Sequence, residues 1–305
     1  MVEAAPRIDV ITLTWNRRQD TLACLESLSQ LTYPNYQIML VDNGSTDGTV
    51  EAVRARFPHV ELLVNEKNLG FQGGFNAGLR RSLASGADYA FVMNNDTTVQ
   101  PDILDELIKQ AVTADVGMVA PKIYYAYQPD RIWSVGGDCH PVTLEMTHKG
   151  DNQFDRGQWD QVLERDFLVG CAMLMKRSML ETIGVFDTGY HPGYYEDADL
   201  CVRARRAGFR LLMVPSAKMW HKVSASGGGA GSPHERYLMA RHSVRYFRKY
   251  IRGWRWLIVA PYRLGSAIRT TWRLAHQRRF ESITAYWRGL RDGGRMSLAP
   301  VDERL

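Results

Sequence analysis

Apolar runs of strand length alternate with helix-spaced segments over the first hundred or so residues, and that alternation restricts the chain to a narrow set of folds. IDVITLTW (8–15) reads as a short buried strand. TLACLESLSQL (21–31) puts Leu22, Leu25, Leu28 and Leu31 at helical spacing. YQIMLVD (36–42) is a second strand ending in the turn NGSTDG, and TVEAVRARF (49–57) is helical until Pro58 stops it. VELLVN (60–65) is a third strand. The spacing then predicts a glycine-rich turn, NLGFQGG, leading into FNAGLRRSLASG. DYAFVMNND (88–96) is a fourth strand, and Pro101 opens the next helix in its first turn. This order gives an α/β chain with a mostly parallel sheet flanked by helices. Ligands then belong in the crevice outside the carboxyl ends of the strands.

Beyond residue 115 the pattern is mixed. VGMVAPKIYY reads as a strand, 126–165 is polar and loop-rich, and DFLVGCAMLMK (166–176) is a strongly apolar strand. SMLETIG (178–184) and EDADLCVRARRAG (196–208) read as helices stopped by Gly184 and Gly208. FRLLMVP (209–215) is a strand. SASGGGAGSP (224–233) is the one low-complexity segment, and 234–290 is basic, aromatic and helical. These shifts divide the chain into a body, 1–225, and a C-terminal segment, 226–305. The body itself divides into halves of about 1–115 and 116–225.

Composition excludes several classes. A chain of 305 residues, 45% hydrophobic and 23% charged, is neither disordered nor fibrous. Cys24, Cys139, Cys171 and Cys201 form no Cys-x-x-Cys pair, so zinc-ribbon and thioredoxin motifs are excluded. Scattered cysteines suit a reducing compartment. The first residues lack the basic start and long apolar run of a signal peptide. WLIVAPY (256–262) is far shorter than the ~20 residues that span a bilayer. The formal net charge of +5 is unevenly placed: residues 236–305 carry sixteen Lys and Arg against four Asp and Glu, so the body is acidic. An acidic body suits a cation, and a basic tail suits an anionic surface.

Three carboxylate positions carry the chemistry. Asp42 ends the second strand, where it either hydrogen-bonds its own turn or accepts from a nucleobase; Ser45 and Asp47 beside it read as helix caps. Asp96 ends the fourth strand in MNND, as a hard ligand for Mg²⁺ or Mn²⁺ or as a helix cap. Glu196, Asp197 and Asp199 open a helix. The macrodipole explains some acidity there, but three carboxylates in four residues exceed what a cap needs, and a base beside a crevice is the alternative. Tyr194 and Tyr195 are placed to stack on a sugar. His221 follows a strand segment, where a structural hydrogen-bonding role competes with ligation. The glycine-rich 68–78 is neither a Walker motif nor G-x-G-x-x-G.

In this order the segments resemble the family 2 glycosyltransferases, the large inverting group with the GT-A fold. The carrying motifs are TLTWN (12–16), VDNGSTDGT (41–49), NLGFQGGFNAG (68–78), MNND (93–96), GCAMLMKR (170–177), YEDADLC (195–201) and Trp220-His221. They cover about 1–225. The resemblance implies that Thr12, Trp15, Asn16 and Asp42 hold the nucleobase. Asn43, Gly70, Asn76 and Asn95 would complete the nucleotide-sugar side. Asp96 matches the last acidic residue of the family's Asp-x-Asp motif, and Asn94 stands at its first position. His221 matches a second metal ligand found in part of the family. Asp197 matches the general base, with Glu196 as its catalytic neighbour. Asp199, Tyr194, Tyr195 and Trp220 take supporting or acceptor roles.

The implied reaction moves a sugar from a nucleoside-diphosphate sugar, with a divalent cation, Mg²⁺ or Mn²⁺, to a glycan or lipid-linked acceptor of a surface polysaccharide. dTDP-rhamnose is the first expected donor, and a UDP-linked galactofuranose or hexose the alternative. The glycine segment 224–232 is a lid or a linker. The tail is expected to meet an anionic membrane at its cytoplasmic face, or to pack on the body or a second copy. No motif indicates nucleic acid. The rival enzyme class, sugar-1-phosphate nucleotidyltransferases, needs an N-terminal glycine-rich loop that TLTWNRR lacks. A non-enzymatic surface-binding protein would explain the tail but not Asp42, Asp96 and Asp197.

Overall fold

A computed structural model describes residues 5–223 and 231–299. The strands are β1 (Ile8–Thr14), β2 (Tyr36–Asp42), β3 (Glu61–Val64), β4 (Tyr89–Asn94), β5 (Thr97–Val99), β6 (Val116–Tyr125), β7 (Gln128–Ser134), β8 (Gly137–Cys139), β9 (Met146–His148), β10 (Gln153–Phe154), β11 (Leu163–Glu164), β12 (Ala172–Lys176) and β13 (Arg210–His221). The helices are α1 (Arg18–Leu28), α2 (Thr49–Arg56), α3 (Gly70–Ser85), α4 (Ile103–Ala111), α5 (Arg177–Ile183), α6 (Glu196–Arg206), α7 (Pro233–Tyr250), α8 (Arg255–His276) and α9 (Phe280–Gly293). The region 126–165, read as loop-rich, contributes five short strands, β7 to β11.

Eleven strands form one mixed sheet, with β8 and β9 as a separate hairpin. In the N-terminal half β3, β2, β1 and β4 are mutually parallel. β12 then pairs antiparallel with both β4 and β6, and β13 runs parallel to β6 and antiparallel to β5. Strand alternation sorts the core into two layers. Ile8 and Val10 of β1 pack with Cys24, Leu25 and Leu28 of α1. Ile11 turns to the other face, with Phe75 and Leu79 of α3.

The expected turn at NLGFQGG is instead mostly helix, because α3 begins at Gly70. Close approach explains its glycines. A Cβ on Gly74 would come within 2.3 Å of Leu13, and one on Gly78 within 2.6 Å of Ile11, so only glycine lets this helix lie against β1.

α7 is packed into the body. Its Arg245 is buried and pairs with buried Asp187 at 2.5 Å, and Lys249 reaches Asp187 and Asp199 at 2.9 Å each. The Tyr250 hydroxyl donates to Asp199 at 2.7 Å. Buried charges of this kind need such partners, since each would otherwise keep its desolvation cost. Asp199 is thereby an anchor between α6 and α7. The glycine segment expected as lid or linker falls mostly on 224–230, outside the described residues.

Candidate active site

The carboxyl ends of β1, β2 and β4 open into a cleft of about 930 Å³, whose opposite wall comes from the start of α6, the β8–β9 hairpin and the first turns of α7. Among the described residues, five of the eight non-glycine residues with left-handed backbone line it: Asn16, Arg17, Leu144, Tyr194 and Tyr195. Such conformations cost about 1–3 kcal/mol each and persist where a surrounding structure imposes them, commonly at functional sites.

On the wall formed by the strand ends, Trp15 is 54% exposed at the end of β1. Asn16 is fixed by Ser45, whose hydroxyl accepts from its amide at 2.8 Å, and by accepting from the Thr46 amide at 2.9 Å. Asp47 caps two helices at once, accepting from the amides of Arg18 and Thr49. The Asn43 side chain donates to the Gly70 carbonyl at 3.0 Å and accepts from Asn65 at 2.9 Å. Gly70 itself has φ +73°, and a Cβ there would meet His191 at 2.5 Å. Asn95 donates to Thr14 and Thr21, which orients the β4–β5 turn.

Some expected residues stand outside the cleft lining. Asp42 is buried and one carboxylate oxygen accepts from the amides of Gly44 and Ser45, the turn role open to it in the sequence; its other oxygen has no partner. Thr12 is buried beneath the strand end. Asn76 is committed to the Phe186 main chain, donating to its carbonyl at 2.8 Å and accepting from its amide at 3.0 Å. Trp220 stacks on Tyr124 and donates to the Pro129 carbonyl, since alternation along β13 turns it away from the face that His221 occupies.

Asp96 and His221 meet inside the cleft, with His221 Nε2 3.1 Å from Asp96 Oδ1 and both side chains buried. The ring is held edge-on against Trp133. Burial alone would raise the Asp96 carboxyl, but the His221 ring, main-chain hydrogen bonding and Arg17 hold it below its ordinary value. His221 Nδ1 has no hydrogen-bond partner and Asp96 Oδ1 has none beyond this contact with the ring, although buried polar atoms are normally satisfied. A carboxylate oxygen and an imidazole beside it are a donor set for Mn²⁺ or Mg²⁺. Among the described residues no group of three or more His, Cys, Asp or Glu side chains is assembled. A cation here would therefore complete its shell with water and substrate oxygens, as Mg²⁺ commonly does.

Across the cleft, Asp197 begins α6. Its Oδ2 accepts from the Gly170 amide at 3.1 Å and its Oδ1 from the Ala198 amide at 2.8 Å. Neighbouring Glu196 accepts from Gln72 at 3.1 Å. Burial raises both carboxyls, and the nearby Asp197 charge lifts Glu196 well above its ordinary range. The amides of Gly170 and Ala198 and the His148 ring oppose the rise at Asp197. Two close carboxyls in such a setting divide into one that keeps its proton and one that gives it up. Main-chain donors favour the ionised form at Asp197. His242 of α7 holds the loop before this pair by donating from Nδ1 to the Gly193 carbonyl at 2.7 Å, and burial keeps the ring neutral, its pKa pushed down to about 4.

Sequence reasoning missed Arg17, Asn68, Gln72, His148, His234 and Glu235. Arg17 was visible in TLTWNRR. His234 and Glu235 were hidden in the tail, whose first helix lines the cleft. His148 sits on a hairpin that no periodicity announced.

Comparison with known proteins places the chain in a family and a fold. The family model described as glycosyl transferase family 2 matches residues 9–184. The N-acetylglucosaminyl-diphospho-decaprenol L-rhamnosyltransferase of Mycobacterium tuberculosis is 28% identical over 312 residues, spanning 90% of this chain and 97% of the relative. A mannosyltransferase from Pyrobaculum calidifontis, solved with GDP-Man and Mn²⁺, superposes with TM-score 0.57 at 19% identity over 96% of this chain and 76% of that one. GalNAc-T7, solved with UDP, GalNAc and Mn²⁺, gives TM-score 0.62 at 15% identity over 81% of this chain and 51% of that one. The fold is GT-A, as the sequence led us to expect. The chain belongs to glycosyl transferase family 2.

Proposed function

We propose that the protein transfers a sugar, with inversion, from a nucleoside-diphosphate sugar to a hydroxyl of a lipid-linked glycan, with Asp197 as general base. The observation that carries this reading is the placement of Asp197. It is a half-buried carboxylate lining the cleft, held by two main-chain amides, with buried Glu196 beside it to retain a proton.

The nucleotide lies over the carboxyl ends of β1, β2 and β4, between Trp15, Asn16 and Asn43. Asp96 and His221 would hold a divalent cation, which would offset charge on the diphosphate leaving group. Asp197 accepts the proton of the acceptor hydroxyl. The hydroxyl oxygen bonds to the anomeric carbon as the bond from that carbon to the diphosphate oxygen breaks, and the diphosphate departs with the electron pair. A single displacement inverts the anomeric centre. Glu196, kept neutral by burial, adds no second charge near the nucleophile. Leu144, Met146, Leu238, Met239 and Phe247 give the far side of the cleft an apolar lining, which suits an acceptor carried on a lipid.

L-rhamnose is the favoured donor sugar, supported by the mycobacterial relative's name, and the cytoplasmic side of the cell membrane is the favoured location. The test is nucleoside diphosphate release from a panel of dTDP-, UDP- and GDP-sugars with Mn²⁺ and a lipid-diphosphate-sugar acceptor, with the product's anomeric configuration read by NMR. Release with dTDP-rhamnose and an inverted product support the proposal. A retained configuration, or no acceptor-dependent release with any donor, overturns it.

A further inference from the structure

We propose that α8 is an in-plane membrane-binding helix whose outward face inserts into an anionic lipid surface. The proposal concerns a surface apart from the cleft and does not depend on which sugar is moved.

The three C-terminal helices differ in what they leave uncovered. α7 lines the cleft and carries the buried Arg245, and α9 packs along α7 through Tyr286, Gly289 and Gly293. α8 buries only Val259, Ala267 and Leu274. Its opposite face holds Leu257, Leu264, Ile268 and Trp272 at separations of seven, four and four residues, which places them on one stripe. These side chains are 80%, 58%, 58% and 70% exposed. Isolated exposed leucines need no explanation, but a contiguous row of large apolar side chains marks an interaction surface. Trp254 at one end of the helix and Trp272 at the other put amphipathic rings at the margins, where such rings favour a membrane–water interface.

Charge selects the occupant. α8 contains Arg255, Arg263, Arg269 and Arg273 and no acidic residue. Arg269 and Arg273 are exposed and flank one side of the apolar stripe, and exposed Arg252 and Arg278 lie just beyond the two ends. A second copy of the chain docking by the same face would oppose these arginines to one another. An anionic lipid surface accepts both features, apolar burial and phosphate contact, at once. No helix among the described residues is long and apolar enough to cross a membrane, so the fitting geometry is in-plane.

The helix is also tied to the cleft wall. The Arg255 guanidinium donates to the carbonyls of Pro141 at 2.5 Å and Val142 at 2.7 Å. That loop continues into Leu144, Glu145 and Met146, which line the cleft. A lipid surface under α8 therefore lies beside the apolar half of the cleft.

The test is flotation of the full chain with vesicles of phosphatidylcholine alone, or of phosphatidylcholine with phosphatidylglycerol, at low and high salt. Leu264→Asn/Ile268→Asn and Arg269→Glu/Arg273→Glu are compared with the parent, after circular dichroism melting shows each folded. We expect binding to the anionic vesicles that weakens as salt rises, and loss of about tenfold or more in vesicle affinity for each double variant. No binding to anionic vesicles at low salt, or binding equal in the parent and both variants, overturns the proposal. So does a dimer in light scattering that Leu264→Asn/Ile268→Asn dissociates while the parent ignores vesicles, which would make the face a self-association surface.

Discussion

Nε2 of His221 lies 3.1 Å from Oδ1 of Asp96, although 125 positions separate them in sequence. Antiparallel pairing of β13 with β5, which sets His221 opposite Thr97, brings them together. We predict that Asp96→Ala and His221→Ala each weaken Mn²⁺-dependent binding of the nucleoside diphosphate. Loss of a ligand should cost at least the about 10–100-fold that loss of an outer-shell partner costs. Calorimetry with and without metal measures this. Metal-dependent affinity unchanged in His221→Ala would leave the histidine a packing role against Trp133.

The buried pair of Asp187 and Arg245 should be a principal support of α7. Asp187→Asn leaves Arg245 buried opposite a neutral group and is expected to destabilise the chain by about 3–5 kcal/mol, measured by urea denaturation. Replacing both, as Asp187→Asn/Arg245→Met, should be milder than the sum of the two single changes. Burial alone would raise the Asp187 carboxyl, but Lys249, Arg245 and the Gly189 amide hold it below the ordinary 3.8. Its stabilising contribution is therefore present above that value and is lost as pH falls through the depressed one. The parent should lose stability on acidification through that window, and Asp187→Asn should not show this part of the loss.

The sequence carried the two-layer α/β architecture because the strand and helix periods are local. β1 and β2 alternate apolar residues between two buried faces, which makes them visible as short apolar runs. The ends of these strands were legible for the same reason, and they point to the cleft where Asp96 and Asn95 stand. What was not legible depends on contacts distant in sequence. Gly70 and Gly74 read as a turn, since nothing in NLGFQGG states that β1 needs a helix without side chains at its surface. Asn76 and Trp220 carry residue types suited to a site, and only the direction of the side chain takes them out of it. His234 and Glu235 reach the cleft because Arg245, Lys249 and Tyr250 clasp α7 to Asp187 and Asp199. In the sequence that clasp is hidden within an arginine-rich run resembling a solvated tail.

The raised carboxyl of Asp197 gives a pH dependence with a definite sign. A base must be ionised to accept a proton, so turnover should fall as pH drops through the raised value, above the ordinary 3.8. The acidic limb of kcat/KM, measured with saturating metal, is expected above that of an ordinary aspartate. Asp187, whose pKa is depressed, loses its charge at lower pH, so unfolding does not account for this limb. A limb at or below the ordinary aspartate value would contradict Asp197 as the base.

Substitution of Asp197 by asparagine tests the central claim most directly. Asp197→Asn keeps the shape and removes the basic carboxylate. Because burial raises the Asp197 carboxyl, its ionised form costs stability once pH rises through that raised value, so the variant should be as stable as the parent or more so at neutral pH. Turnover and nucleoside diphosphate–Mn²⁺ affinity are measured on the same preparation. We expect kcat to fall by about 10²–10⁴ while nucleotide affinity stays within a few-fold. Near-normal turnover in the folded variant, or loss of nucleotide binding together with turnover, would contradict the assignment of Asp197 as the base.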